Sequence, residues 1–122
     1  MAKYLVLIYG DEQAWDAFTP EQWRDNGEGH RAFNEAVAAA DGAAVLGGAQ
    51  LREASTATTL RAGSAGRPSI TDGPFPETKE VLGGFYLIEA TDLDQAIAFV
   101  GLLREVSAGH SGVEIRPVLE RS

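Results

Sequence analysis

Two residues of this sequence could together serve proton transfer near neutrality, one as carrier and one as its orienting partner: His30 in "GEGHRAF" and Asp72 in "ITDGPFPETKE". An imidazole with an unperturbed pKa of ~6.5 takes up and returns a proton close to pH 7. A carboxylate beside it can orient the ring, fix its tautomer and stabilise the charged form without itself accepting the proton. Each residue also has a plainer reading. His30 falls on an apolar helical stripe, where a core histidine bonded to a backbone carbonyl would look the same, and an Asp heading a turn commonly accepts from the amides ahead of it.

Four further residues are candidates for binding a substrate: Phe75, Lys79, Arg116 and Trp23. Pro74 and Pro76 stiffen the chain on either side of Phe75, which either anchors the turn in the core or lines a pocket. Lys79 could hold an anionic group, or pair in solvent with Glu77 or Glu80. Arg116 carries a forked donor set fit for a carboxylate, and an exposed strand position explains it equally well. Trp15 and Trp23 could wall a cavity, with core packing the first reading for Trp23. His110, in "SAGHSG", has no partner that the sequence names.

Other chemistries lack their residues. The chain has no cysteine and two histidines, so thiolate chemistry is excluded and no recognised metal-ligand spacing is present. There is no Gly-x-Ser-x-Gly elbow and no nucleotide fingerprint. Gly83-Gly84 is too short for a phosphate loop and reads as a bulge or a close approach of strands. The site expected is cofactor-free and metal-free.

The elements that must position these residues follow from patterning. With 122 residues, 44% hydrophobic and 23% charged, one domain with one core is expected over residues 1–122. A net charge of -8 argues against nucleic-acid binding, which needs clustered Lys and Arg. The N-terminal "YLVLIY" has one cation before it and no cleavage pattern after it, so it reads as a strand rather than a signal peptide. No segment reaches the ~18 apolar residues of a membrane span, and a cytoplasmic protein is expected.

Tyr4 to Tyr9 is apolar on both faces. Thr19-Pro20-Glu21-Gln22 opens a helix running to about Ala40, with Thr19 as N-cap and Gln22 closing a capping box. Its buried stripe is read as Trp23, Gly27, His30, Phe33 and Val37, with Gly27 and Gly29 weakening the helix by ~1 kcal/mol each. Strands are expected over 44–51, 57–62, 67–71, 85–90 and 113–119, the second and third of them forming a hairpin. A second helix is expected to start at the capping box Thr91-Asp92-Leu93-Asp94 and to bury Leu93, Ala96, Ile97, Val100, Leu103 and Val106. The order β, α, β, hairpin, β, α, β is an α+β, ferredoxin-like plan: an antiparallel sheet with two helices on one side and an inserted hairpin. Helices on one face cannot cover both faces of Tyr4–Tyr9 and Phe85–Ile88, so a homodimer packed sheet against sheet is expected.

The stretch "TDGPFPETKEVLGGFYLIEATDLDQAI" resembles the signature of the YCII-related family of the DGPF type. The resemblance extends to "KYLVLIYGDE", "HRAF", "ATTLR" and "VEIRPV", covering nearly the whole chain. It implies a ferredoxin-like fold that pairs into a dimeric α/β barrel, and a histidine–aspartate dyad whose matching positions are His30 and Asp72. It implies no settled activity, although DGPF-type proteins are associated with extracytoplasmic-function sigma factors. Together with the residues, it suggests a proton-transfer enzyme, lyase or isomerase, acting on a small polar molecule. The alternative is a non-enzymatic ligand-binding or regulatory dimer, and a third reading makes the turn a purely structural closure.

Overall fold

The computed structural model describes residues 1–74 and 79–120. Strand β1 (Ala2–Asp11) leads through a short helix α1 (Glu12–Asp16) into the long helix α2 (Pro20–Ala39), and then into β2 (Ala44–Gln50). A hairpin of β3 (Thr58–Ala62) and β4 (Pro68–Asp72) follows, then β5 (Glu80–Ala90), α3 (Leu93–Val100) and β6 (Ser111–Pro117). The main sheet is antiparallel in the order β2-β5-β1-β6, and β3-β4 form a separate two-stranded sheet. The expected succession of strands and helices is therefore present, with α1 added. In one chain the four-stranded sheet stays open and does not close into a barrel.

Local chemistry accounts for the helix ends. Thr19 Oγ1 accepts from the Gln22 amide at 3.1 Å and Gln22 Oε1 accepts from the Thr19 amide at 2.8 Å, a closed capping box that leaves Pro20 at the position where its missing N–H costs nothing. At α3 the cap is Asp92 rather than Thr91. Its carboxylate accepts from the Gln95 amide at 2.9 Å while Gln95 Oε1 accepts from the Thr91 amide at 2.7 Å.

α3 is also shorter than its apolar pattern suggests. It ends at Gly101, and Leu103 adopts an extended backbone before a 3-10 turn over Arg104–Val106. The reset keeps Leu103 buried and leaves Val106 exposed, and within α3 itself Leu93 and Ile97, two more members of the expected stripe, are exposed. It also turns Glu105 inward.

The core lies between the sheet and α2 and α3. Tyr4, Val6 and Ile8 alternate inward from β1, meeting Ile88 and Ala90 of β5, Phe33 and Val37 of α2, and Phe99, Val100 and Leu103. Burying side chains of this size contributes ~1.5–3 kcal/mol each. On the opposite face Leu5 stands across from Leu87 and Leu7 from Phe85, all half-buried, beside the exposed ion pair Arg116–Glu114 at 3.1 Å.

Candidate functional site

Past Phe33, toward its N-terminus, α2 leaves the core and overhangs a cavity of about 780 Å³. The first half of the expected buried stripe faces this space instead of packing in the core: Trp23, Gly27 and His30 line it, and Trp23 is 41% exposed. Both tryptophans of the chain are in the wall, Trp15 from α1 and Trp23 from α2.

Glycines clear the room for this wall. A Cβ on Gly10 or Gly83 would stand 2.3 or 2.6 Å from the Trp15 ring, and one on Gly48 would stand 2.9 Å from the Tyr86 ring. Gly83 is also the extra residue of a β-bulge, since Ile8 pairs with Gly84 and Tyr9 with Leu82. Of the two sequence readings of Gly83-Gly84, the bulge holds at Gly83 and the close approach of strands at Gly84, where a Cβ would stand 3.1 Å from the Ala49 carbonyl.

His30 is the centre of the site. Its Nδ1 lies 2.6 Å from the Tyr86 hydroxyl and its Nε2 lies 2.8 Å from Glu105 Oε2. The Tyr86 ring stacks at 4.6 Å on buried Phe33, so the phenol is carried by the core. Glu105 comes from the 3-10 turn and is 5% exposed. Gly29 makes the approach possible, because a Cβ there would stand 2.9–3.0 Å from Arg104 and the Leu102 carbonyl. The glycine that weakens the helix is thus the one that lets residues 102–105 lie against it.

The electrostatics assign the protons. Burial alone would raise the Glu105 carboxyl, but the hydrogen bond and charge of His30, with a smaller contribution from nearby Asn26, outweigh it and hold the group below the usual carboxylate range. Glu105 is therefore an anion at neutral pH and can only accept, so Nε2 of His30 carries a hydrogen. Burial, and secondarily the negative charge of Glu105, push the Tyr86 phenol above its ordinary value, while a hydrogen bond with Asn34 opposes them. Tyr86 stays protonated, and when the imidazole is neutral it donates to the lone pair left on Nδ1. The hydrogen bonds thus run from Tyr86 through His30 to Glu105. The other Glu105 oxygen, Oε1, is buried without a hydrogen-bond partner among the described residues.

The remaining predicted site residues lie elsewhere or in other roles. Asp72 ends β4, exposed, opposite Thr58. Within one chain the carboxylate on His30 is that of Glu105, and Asp72 is not among the residues lining the cavity. The described part of the Asp72 turn is tied to β3: the Gly73 amide donates to the Ala57 carbonyl at 2.6 Å and Thr59 Oγ1 donates to the Gly73 carbonyl at 2.6 Å. Gly73 has φ 101°, a conformation natural to glycine. Phe75 lies outside the described residues. Lys79 is largely exposed, 4.0 Å from Asp11, and Arg116 is on the far face of the sheet. His110 packs edge-on against Phe18 and lines a second cavity, which borders Glu105.

Glu105 and Tyr86 are the residues that sequence reasoning missed. Tyr86 was legible only as part of a strand apolar on both faces, and Glu105 fell off the apolar stripe of a helix that in fact stops short of it. No group of three His, Cys, Asp or Glu side chains that could hold a metal converges among the described residues. No helix among them is long and apolar enough to cross a membrane.

The YCII-related domain model matches residues 2–121. The chain belongs to the YCII-related family. This YCII-related protein is 38% identical over 120 residues to the uncharacterized protein R00369 of Rhizobium meliloti (strain 1021), a match covering 94% of this chain and 90% of that one.

Proposed function

We propose that this protein is a small cofactor-free enzyme that moves a proton on a small polar molecule bound between the sheet and α2, as an isomerase or lyase. The observation that carries the reading is the placement of His30, with one ring nitrogen on a phenol and the other on a buried carboxylate, in the wall of a cavity. In the resting state the Tyr86 hydroxyl gives its hydrogen to Nδ1 and presents lone pairs to the cavity. A substrate proton passes to the Tyr86 oxygen as the tyrosine's own proton passes to Nδ1. The resulting imidazolium is held by Glu105, and Tyr86 now offers a donor to the oxyanion left on the substrate. Return of the proton at a second atom completes an isomerisation. An elimination is completed instead when the leaving group departs with its bonding electron pair and takes up the proton that the Tyr86–His30 pair had removed. In this reading Glu105 takes the orienting role that the sequence offered to Asp72.

The two apolar rows Leu5/Leu7 and Leu87/Phe85 on the far face of the sheet support a homodimer joined there, which would complete a ferredoxin-like α/β barrel. They equally favour a second reading, a ligand-responsive regulatory dimer, for which a sigma factor is the partner to test.

Exchange of carbon-bound hydrogen for deuterium, followed by NMR over a panel of small enolisable carbonyl compounds in D2O, tests the enzyme reading without requiring the product. Tyr86→Phe and His30→Ala are each expected to slow exchange by ~10²–10⁴-fold while cavity binding persists. Equal exchange in the wild type and both variants would refute the relay. A regulatory dimer would show ligand binding with no exchange in any of the three proteins.

A further inference from the structure

The charge around the cavity is lopsided. Glu12, Asp16 and Glu53 line its rim against, among the described residues, a single Arg or Lys, Arg52, and Arg52 lies 3.9 Å from Glu53. The chain as a whole has 18 acidic and 10 basic residues, so three to one exceeds its general bias. Asp16 and Glu53 are exposed and Glu12 half-buried. Glu12 Oε2 accepts from the Ala54 amide at 2.8 Å, which fixes its carboxylate in place. A second observation is independent of these rim charges: Glu105, more than nine-tenths buried, lines the same cavity, and its Oε1 has no hydrogen-bond partner among the described residues. The third is the wall itself, which contains both tryptophans.

We infer that the cavity selects a small organic cation, an amine- or ammonium-bearing molecule. Carboxylates replace the hydration such a cation loses on entry, and indole faces attract it through their quadrupole. The negative field around the cavity raises the local concentration of cations and opposes anions. The inference rests on the relay reading in taking this cavity as the substrate site and adds the class of substrate: a molecule whose positive group is held by the carboxylates while its acidic hydrogen meets Tyr86.

Three probes of similar size and shape separate charge from fit: tetramethylammonium, tert-butyl alcohol and pivalate. Because both tryptophans line the cavity, their indole N–H resonances report occupancy directly. Tetramethylammonium is expected to shift them saturably and pivalate to leave them in place. The double variant Glu12→Gln/Asp16→Asn, which keeps an oxygen for the Ala54 amide, is expected to weaken tetramethylammonium by roughly fivefold per carboxylate, with an unchanged amide fingerprint confirming its fold. Pivalate binding as tightly as tetramethylammonium, undiminished binding in the folded double variant, or no saturable shift with tetramethylammonium would each overturn the inference. The relay fails on a different readout, the Tyr86-dependent exchange of deuterium. A cation-selective cavity without that exchange retains this inference and discards the relay, and the reverse result does the opposite.

Discussion

The cavity beneath α2 and the β3–β4 hairpin each carry a candidate carboxylate partner for His30, and the two are held in opposite ways. Asp72 ends an exposed strand whose cross-strand pair, Leu60 and Ile70, stands 55% and 64% exposed. Glu105 is buried against His30, in a turn wedged onto α2 at Gly29. A carboxylate in solvent has a weak and screened hold on a neighbour. One removed from water and bonded to a single imidazole fixes a tautomer, because little else nearby can accept that hydrogen. Motif density drew attention to the hairpin, yet it is burial and pairing that bring chemistry together at the cavity.

If the cavity is built on the core while the hairpin is an appendage, truncation should separate them most clearly. Phe33→Ala, which removes the buried ring under Tyr86, is expected to cost about 3–5 kcal/mol, whereas Ile70→Ala should stay within about 0.5 kcal/mol. Urea unfolding measures both, and similar losses would mean that the hairpin carries load unseen in a single chain. A smaller effect sharpens the same contrast. Gly29→Ala should cost about 1–3 kcal/mol by overpacking against Arg104 and Leu102, and it should weaken the His30–Glu105 contact in the NMR spectrum of the imidazole.

Acid stability supplies a third test. The folded Glu105 carboxyl ionises below its unfolded value of about 4.3, so its stabilisation is fully present above that pH and is lost as pH falls through the folded value. Thermal unfolding should show a part of the acid-induced loss that disappears in Glu105→Gln. An identical pH dependence in the two proteins would break the argument. The smallest effect concerns Tyr86, whose ionisation by ultraviolet absorbance, isolated by subtracting Tyr86→Phe, should lie above about 10. In Glu105→Gln it should move down only part of the way, because burial is the larger cause.

Much of the fold was legible because local chemistry dictated it. Thr19 and Gln22 could cap only one helix start, and alternation in β1 and β5 fixed the two sheet faces. Harder to read were the places where a tertiary contact overrode a period. The stripe from Trp23 to Val37 is continuous in sequence, but only its second half meets the sheet, and a helical pattern does not say where the surface beneath it ends. Leu103 keeps the helical beat although the helix has stopped at Gly101, which hid the inward turn of Glu105. His30 was visible by residue type alone. Its partners were not, since a contact spanning 56 residues to Tyr86 and 75 to Glu105 leaves no local signature.

The central claim is that Glu105 and Tyr86, rather than Asp72, set the state of the His30 ring. The most direct measurement is the tautomer of the His30 imidazole, read from its nitrogen chemical shifts and two-bond couplings in 15N-labelled protein at a pH where the ring is neutral. The account predicts hydrogen on Nε2 and a bare Nδ1 in the wild type and in Asp72→Asn, and a mixture of tautomers in Glu105→Ala. Hydrogen on Nδ1 in the wild type, or a tautomer that changes in Asp72→Asn and not in Glu105→Ala, would contradict it.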